Sequence, residues 1–349
     1  MGDRLVLLAT THRVAPGLLT DEAWSLLRDA DAVHLPDDDH PLAAALTTAG
    51  IAFSLLPPRP VEDLAVRLLA AARGRTVVWV AGADGDPGLA GALVTATSEA
   101  DPGPAVDVVL GSWDLPGAHL LDVVAVMDRL RSPGGCPWDA EQTHESLVEY
   151  LVEEAYETVE AIETHDDDAL REELGDLLLQ VAFHARIAQE HEQPWGIDDV
   201  ADGIAAKLVR RHPHVFGEGR TDGASASTPD EVEASWKRLK AQEKQRDSVT
   251  DGIPVSLPAL VLAGKLLRRA ADVEVSPVVP ETSAAVRLAL AALGAPGADD
   301  REGRAAAYGE LLLAVAAAAH ADGVDAEQAL REALRTYRAA VRTAENLPD

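Results

Sequence analysis

Five carboxylates, Glu153, Glu154, Glu157, Glu173 and Asp176, fall at spacings that put them on the faces of two successive helices. The first helix is predicted over Leu147–Ile162. At about 100° per residue, Leu147, Val148, Leu151, Val152, Ala155, Val159 and Ile162 share one side, and Glu149, Glu153, Glu154, Glu157 and Glu160 share the other. No Lys or Arg lies between Glu149 and Glu163. Like charges four apart cost a helix about 0.2–0.5 kcal/mol per pair, and a divalent cation would remove that cost. Taken alone, the pattern equally describes a solvated acidic face.

The next helix, Leu170–Ala188, changes the balance. It carries a core stripe of Leu170, Leu174, Leu177, Leu178, Val181 and Ala185, and a second apolar stripe of Leu179, Phe183 and Ile187. Glu172 and Asp176 lie on the second stripe, with Glu173 beside it. Carboxylates set among Leu and Phe are costly to bury unless something positive meets them. Oxygen-rich clusters of this kind suit Mg2+ or Mn2+. The two helices are expected to form an antiparallel pair with their acids facing. Gly175, costing about 1 kcal/mol in mid-helix relative to Ala, suggests the close approach of a neighbour or ligand. The first helix can bury only one of the two stripes, so the second calls for another partner.

Composition frames these elements. At 349 residues the chain exceeds what one core usually organises. Hydrophobic residues make up 47% but aromatics only 4%, which points to cores of Ala, Leu and Val and a helix-rich fold. A formal charge of -29 argues against a nucleic-acid partner, whose binding depends on Lys and Arg displacing counterions. No apolar run reaches membrane-spanning length, the start lacks a signal-peptide pattern, and Cys136 is the only cysteine, so a cytoplasmic location is expected.

Three segments follow. Residues 1–117 alternate β-branched runs (Arg4–Ala9, Asp31–Leu35, Ile51–Leu56, Thr76–Ala81, Val106–Leu110) with helix-like stretches such as Asp21–Arg28 and Val61–Ala72, the pattern of a Rossmann-like parallel α/β sheet. Residues 118–246 are helical, broken at Ser132–Pro137 and Gly217–Thr228. Thr228-Pro-Asp-Glu231 reads as a capping box opening a helix through Trp236 and Lys240. Residues 247–349 are Ala-rich and helical. His212-x-His214 lacks a third ligand and is a weak metal pattern. Cys136 has no evident base and is not read as a nucleophile.

The run Glu153-Glu154-x-x-Glu157, fifteen residues, then Glu173-x-x-Asp176 resembles the acidic signature of the all-α nucleoside triphosphate pyrophosphatases. Around it, Arg129-Leu-Arg131, Cys136-Pro-Trp-Asp139, Gln142-Thr143, Glu172–Leu178, Lys207, Arg210–Phe216 and Trp236 with Lys240 resemble the MazG family, in family order. The resemblance implies an all-α MazG-type helical bundle module in 118–246. It also implies Mg2+-dependent hydrolysis of a nucleoside triphosphate to its monophosphate and pyrophosphate, Mg2+ held by Glu153, Glu154, Glu157, Glu173 and Asp176, and a homodimer or higher homo-oligomer. Lys207, Arg210 and Arg211 become candidates for the remaining phosphates, a helix C-terminus favouring basic residues being the competing account. Trp236 and Lys240 become candidates for the nucleotide, with plain packing the alternative for Trp236.

Members of this family often carry two modules, and residues 247–349 look like a faded second one. Tyr308-Gly-Glu-Leu-Leu-Leu313 pairs with Leu174-Gly-Asp-Leu-Leu-Leu179, so that Asp176 becomes Glu310 while Glu172 and Glu173 become Ala306 and Ala307. Glu153, Glu154 and Glu157 then fall on Ala284, Ala285 and Leu288. More weakly, residues 1–117 resemble half of a tetrapyrrole-methylase-type domain, through Asp37–His40 and Thr76–Gly82 running into Asp86-Pro-Gly88. Where that family has a Gly-rich turn, this chain has Thr10-Thr-His-Arg-Val14, so no methyl transfer is expected. The reading from a different functional class is a non-catalytic helical scaffold that keeps the acids as a metal-binding relic.

Overall fold

The computed structural model describes residues 3–57, 60–82, 85–99, 103–216, 228–243, 248–273, 286–287, 290–291 and 301–345. It divides into two compact units, Met1–Lys207 and Leu208–Asp349.

In the first unit β1 (Arg4–Ala9), β2 (Ala32–Leu35), β3 (Ser54–Leu55), β4 (Thr76–Val80) and β5 (Ala105–Leu110) form one parallel sheet in the order β3-β2-β4-β1-β5. Helices cover both faces of the sheet at its central strands, which explains why β1 and β4 are apolar almost throughout, while the edge strand β5 leaves Val106, Val108 and Leu110 exposed. Side-chain alternation sends Leu5, Val77 and Trp79 to α3 (Val61–Ala71) and α4 (Leu89–Glu99). It sends Val6, Leu8, Val78 and Val80 to α1 (Asp21–Asp29) and α2 (Ala43–Thr48). The β-branched runs thus become the expected sheet. The third is cut to two residues, with Ile51 and Phe53 packing from outside the strand.

The stretches that resemble a cofactor domain do structural work. The Trp79 indole donates to Asp86 Oδ2 at 2.6 Å. His40 Nδ1 accepts from the Leu42 amide at 3.2 Å, which leaves Nε2 to donate to the Ala81 carbonyl at 3.0 Å. In place of a Gly-rich turn, Arg13 donates to Asp114 at 2.7 Å and to Asp122 at 2.8 Å, and His12 Nε2 meets Asp122 at 2.8 Å. Hydrogen bonds from Arg13 and His12 hold the Asp122 carboxyl down at about 2. The end of β1 is thereby fastened to the first turn of α5 (Leu120–Arg131).

Beyond α5 come α6 (Pro137–Glu141), α7 (Val148–Thr164), α8 (Asp167–Ala188) and α9 (Ile197–Arg211), the last running into the second unit. The loop after α5 requires glycine at 135, since a Cβ there would lie 2.2 Å from the Leu130 carbonyl oxygen. Arg131 is buried; it donates to Glu190 at 2.9 Å and to the Gln142 carbonyl at 3.2 Å, and lies over the Phe183 ring at 5.6 Å. Between α7 and α8 the chain reverses at His165, in the left-handed region with φ 58°, and Asp166 caps α8 by accepting from the amides of Asp168 and Ala169 at 3.1 and 3.0 Å.

The packing corrects the expected stripes. Phe183 and Ile187, read as needing an outside partner, are 3% and 5% exposed in a core with Met127, Leu147 and Ala182. Leu174 and Val181, read as core, are exposed, as are Val148, Val152 and Ile162 of α7. Periodicity marks which residues share a face, but α5 decides which face is covered. At Gly175 the neighbouring helix is not the reason for glycine, because among the described residues a Cβ there would meet nothing within 4 Å.

The second unit holds α10 (Pro213–Phe216), α11 (Pro229–Glu243), α12 (Ala259–Ala270), α13 (Arg301–Ala321) and α14 (Ala326–Ala344). The capping box forms as expected: the Glu231 amide donates to Thr228 Oγ1 and the Thr228 amide to Glu231 Oε2, each at 3.3 Å. α13 ends on Gly323 at φ 73°, and Asp325 caps α14. Ala284, Ala285 and Leu288, the counterparts of the first-module glutamates, lie outside the described residues. No helix among the described residues is long and apolar enough to cross a membrane.

Candidate active site

Glu154 and Glu157 sit three apart on α7, on the side that meets α8, and Glu173 stands on α8 opposite them. One carboxylate oxygen from each of the three lies within 4.8 Å of the others. The tight reversal at His165 makes this possible, since it folds α8 back along α7 and brings the acids of the two helices face to face. Among the described residues this is the sole group of three or more potential metal ligands so gathered. Both Glu154 and Glu173 are half-buried, whereas Glu157 stays exposed.

The electrostatics follow from this crowding. Burial, then the charges of Asp176 and Glu157, raise the proton affinity of Glu154 above the ordinary glutamate range. Burial likewise raises Glu173, followed by Glu157, Asp176 and Glu172. Asp176 is thus the fourth member of the group by its field. Glu153, one residue before Glu154, is exposed and its oxygens are not in the close group. An unneutralised cluster of carboxylates favours a proton or a cation. The donors are all carboxylate oxygens, the set preferred by hard divalent ions.

The remaining candidates divide between the units. Lys207 is exposed in the last part of α9. In the second unit Arg210 is exposed, whereas Arg211 is buried with its guanidinium 5.3 Å from the centre of the Trp236 ring. Two residues expected to contact a nucleotide thus contact each other, an arrangement that also serves packing. Lys240 follows Trp236 by one turn of α11, and its side chain lies outside the described residues. His212 Nδ1 is 2.7 Å from the Leu208 carbonyl, a structural use in keeping with the weak metal pattern.

Sequence spacing did not disclose two further features of α8. His144 Nδ1 and His184 Nδ1 approach to 2.7 Å with their rings stacked, so one nitrogen carries a proton and the other accepts it. Burial and His144 lower the proton affinity of His184. The pair ties the segment before α7 to α8. Gln180, one turn beyond Asp176, is 4% exposed and its Oε1 has no partner among the described residues. Residues forty apart in the chain carry no local periodicity by which to find such a pair.

Residues 142–216 match the MazG nucleotide pyrophosphohydrolase domain. An uncharacterized 26.1 kDa protein of Streptomyces cacaoi is 49% identical over 272 residues, which are 76% of this chain and 99% of that protein. The nucleoside triphosphate pyrophosphohydrolase/pyrophosphatase MazG of Thermotoga maritima is 40% identical over 219 residues, covering 62% of this chain and 81% of that protein. The nucleoside triphosphate pyrophosphohydrolase of Mycobacterium tuberculosis is 51% identical over 155 residues, 44% of this chain and 45% of that protein, so the chain spans less than half of that relative.

Proposed function

The chain belongs to the MazG nucleotide pyrophosphohydrolase family, and we propose that it hydrolyses nucleoside triphosphates to the monophosphate and pyrophosphate at the α7–α8 acidic group, with Mg2+ as cofactor and Mn2+ as a substitute. What supports the reading is the gathering of Glu154, Glu157 and Glu173 from two helices within 4.8 Å. These three, with Asp176 and Glu153 beside them, would hold the cation. When bound, it would neutralise phosphate oxygens and polarise the phosphorus under attack.

The protein's own groups account for the rest. A carboxylate of this group would orient water and take its proton as the oxygen attacks next to the α/β bridge. The same proposal assigns Lys207, Arg210 and Arg211 to phosphate oxygens, and Trp236 with Lys240 to the nucleoside. It retains the division into a sheet segment 1–117, a catalytic module 118–246 and a degenerate module 247–349. The biological role would be sanitation of the cytoplasmic nucleotide pool, without a nucleic-acid partner.

The test is incubation of the full chain with Mg2+ and a nucleotide panel, resolving monophosphate and pyrophosphate from diphosphate and phosphate. Monophosphate with pyrophosphate, lost on chelation, is the expected result. Diphosphate with phosphate, or no product, would reject the reading and favour the scaffold alternative. A homodimer or higher assembly belongs to the same proposal, supported by the exposed apolar residues Val148, Val152 and Ile162 on α7. A monomer mass in light scattering would exclude it.

A further inference from the structure

In a chain of net charge -29, cations are expected to find carboxylates. Among the described residues of the second unit, Lys265 and Arg268 are among those that do not. A cavity of about 340 Å3 opens between α12, the end of α13 and the start of α14, and Lys265, Arg268 and His320 all line it. Lys265 and Arg268 stand three apart on one face of α12, and among the described residues neither has a carboxylate within ion-pair distance. Arg269, the next residue, is used differently: its guanidinium donates to the carbonyls of Val249 and Asp251 at 2.8 and 2.9 Å. The acid among the described lining residues, Asp325, is turned to its own helix, where it accepts from the amides of Glu327 and Gln328 at 2.9 and 3.1 Å.

The space is open where the chain could have filled it. Gly264 lies in the middle of α12 on the cavity wall, and a Cβ there would meet nothing within 4 Å. A mid-helix glycine weakens a helix, and packing among the described residues does not demand this one. The corner is well defined nevertheless. Gly323, at φ 73°, takes the left-handed turn between α13 and α14, and the Val324 amide closes it by donating to the Ala319 carbonyl at 2.8 Å. The volume falls at the lower end of the ~300–1,000 Å3 typical of small-molecule sites.

We propose that this cavity is a binding site for a phosphate-bearing small molecule, held through Lys265 and Arg268. A guanidinium and an ammonium on adjacent turns match phosphate oxygens, the arginine by its planar fork and the lysine as a compact charge. Leu260 and Val324 offer apolar wall to whatever the phosphate is attached to. The site lies in the unit that lacks the acidic group. With no free carboxylate or nucleophile among the described lining residues, it binds and does not catalyse.

The experiment is calorimetric titration of the full chain in the presence of a chelator with inorganic phosphate, pyrophosphate and adenosine monophosphate, each in turn. At least one probe is expected to saturate a single site. Lys265→Ala with Arg268→Ala should weaken binding by about tenfold or more. Gly264→Leu, which fills the cavity and leaves both charges in place, should weaken it similarly at unchanged helix content by circular dichroism. A variant with Glu154→Gln and Asp176→Asn should bind as wild type, which separates this site from the proposed active site. Tighter binding of the monophosphate than of pyrophosphate would identify a nucleotide as the source of the phosphate, and the reverse order an inorganic one. No saturation by any probe up to about 10 mM, or unchanged affinity in both cavity variants, overturns the proposal.

Discussion

Helices α8 and α13 carry closely similar runs, Leu174-Gly-Asp-Leu-Leu-Leu179 in one and Tyr308-Gly-Glu-Leu-Leu-Leu313 in the other, yet among the described residues only the first stands in a group of facing acids. The likeness extends to detail. A Cβ at Gly175 or Gly309 would meet nothing within 4 Å, and Leu174 and Tyr308 are both exposed. Each helix also borders a tight turn that combines a left-handed residue with an aspartate cap, but His165 and Asp166 precede α8 whereas Gly323 and Asp325 follow α13. The difference is in what surrounds the carboxylate. Asp176 lies among Glu154, Glu157 and Glu173 and raises the proton affinity of two of them. Glu310 is exposed and follows Ala306 and Ala307. An acid becomes part of a site through the charges it faces, and the local run that carries it can persist after those charges are gone.

The sharpest break of this comparison is functional. Glu154→Gln and Asp176→Asn should each lower kcat by about a hundredfold to a thousandfold, with the fold intact because volume is kept. Glu310→Ala should leave turnover near wild type. Pyrophosphate release assays decide it: unchanged turnover in both first-unit variants would remove the site assignment, and a large loss in the third would make α13 a working element.

The two turns, one before α8 and one after α13, provide a smaller comparison. Gly323→Ala forces a Cβ into the left-handed region and should cost about 1–2 kcal/mol. His165→Gly relieves that conformation and should stabilise or be neutral, within about 1 kcal/mol. Denaturant midpoints of both variants measure this, and equal destabilisation by both would show that left-handed strain does not govern the position of His165.

The smallest effect is a pH dependence. Because Glu154 binds its proton more tightly in the folded state than an ordinary glutamate does, its contribution favours folding at low pH and is lost as pH rises through its raised folded value. Glu154→Gln removes that loss. Without metal, the variant's thermal midpoint should therefore match wild type in acid and exceed it by about 1–3 °C at neutral pH. Adding Mg2+ should stabilise the wild type more than the variant. A variant that gains stability in acid instead would mean that the glutamate is held in its charged form.

Much of this was legible before any coordinates. β-branched runs marked β1, β4 and β5 within a residue or two; for β1 and β4 the reason is that a parallel strand buried on both faces must be apolar along its length, while the edge strand β5 keeps the pattern with most of its residues exposed. Thr228 and Glu231 announced a helix start through side chains that bond the nearest amides. The acidic spacing named the carboxylates that the α7–α8 reversal gathers. All of these are local, set by neighbours within a turn or a pleat.

What only the tertiary structure decided is which faces are covered and which charges meet. Periodicity placed Leu174 and Val181 in the core stripe of α8 and Phe183 and Ile187 in a second stripe, and packing against α5 covers Phe183 and Ile187 instead. The same helical position that makes Glu154 half-buried leaves Glu153 exposed, a difference of one residue that depends on where α8 lies. His144 meets His184, and Lys265 and Arg268 are left lining a cavity without acids, through contacts between segments far apart in the chain. Burial and long-range charge depend on the positions of all the elements together, so no window of sequence contains them.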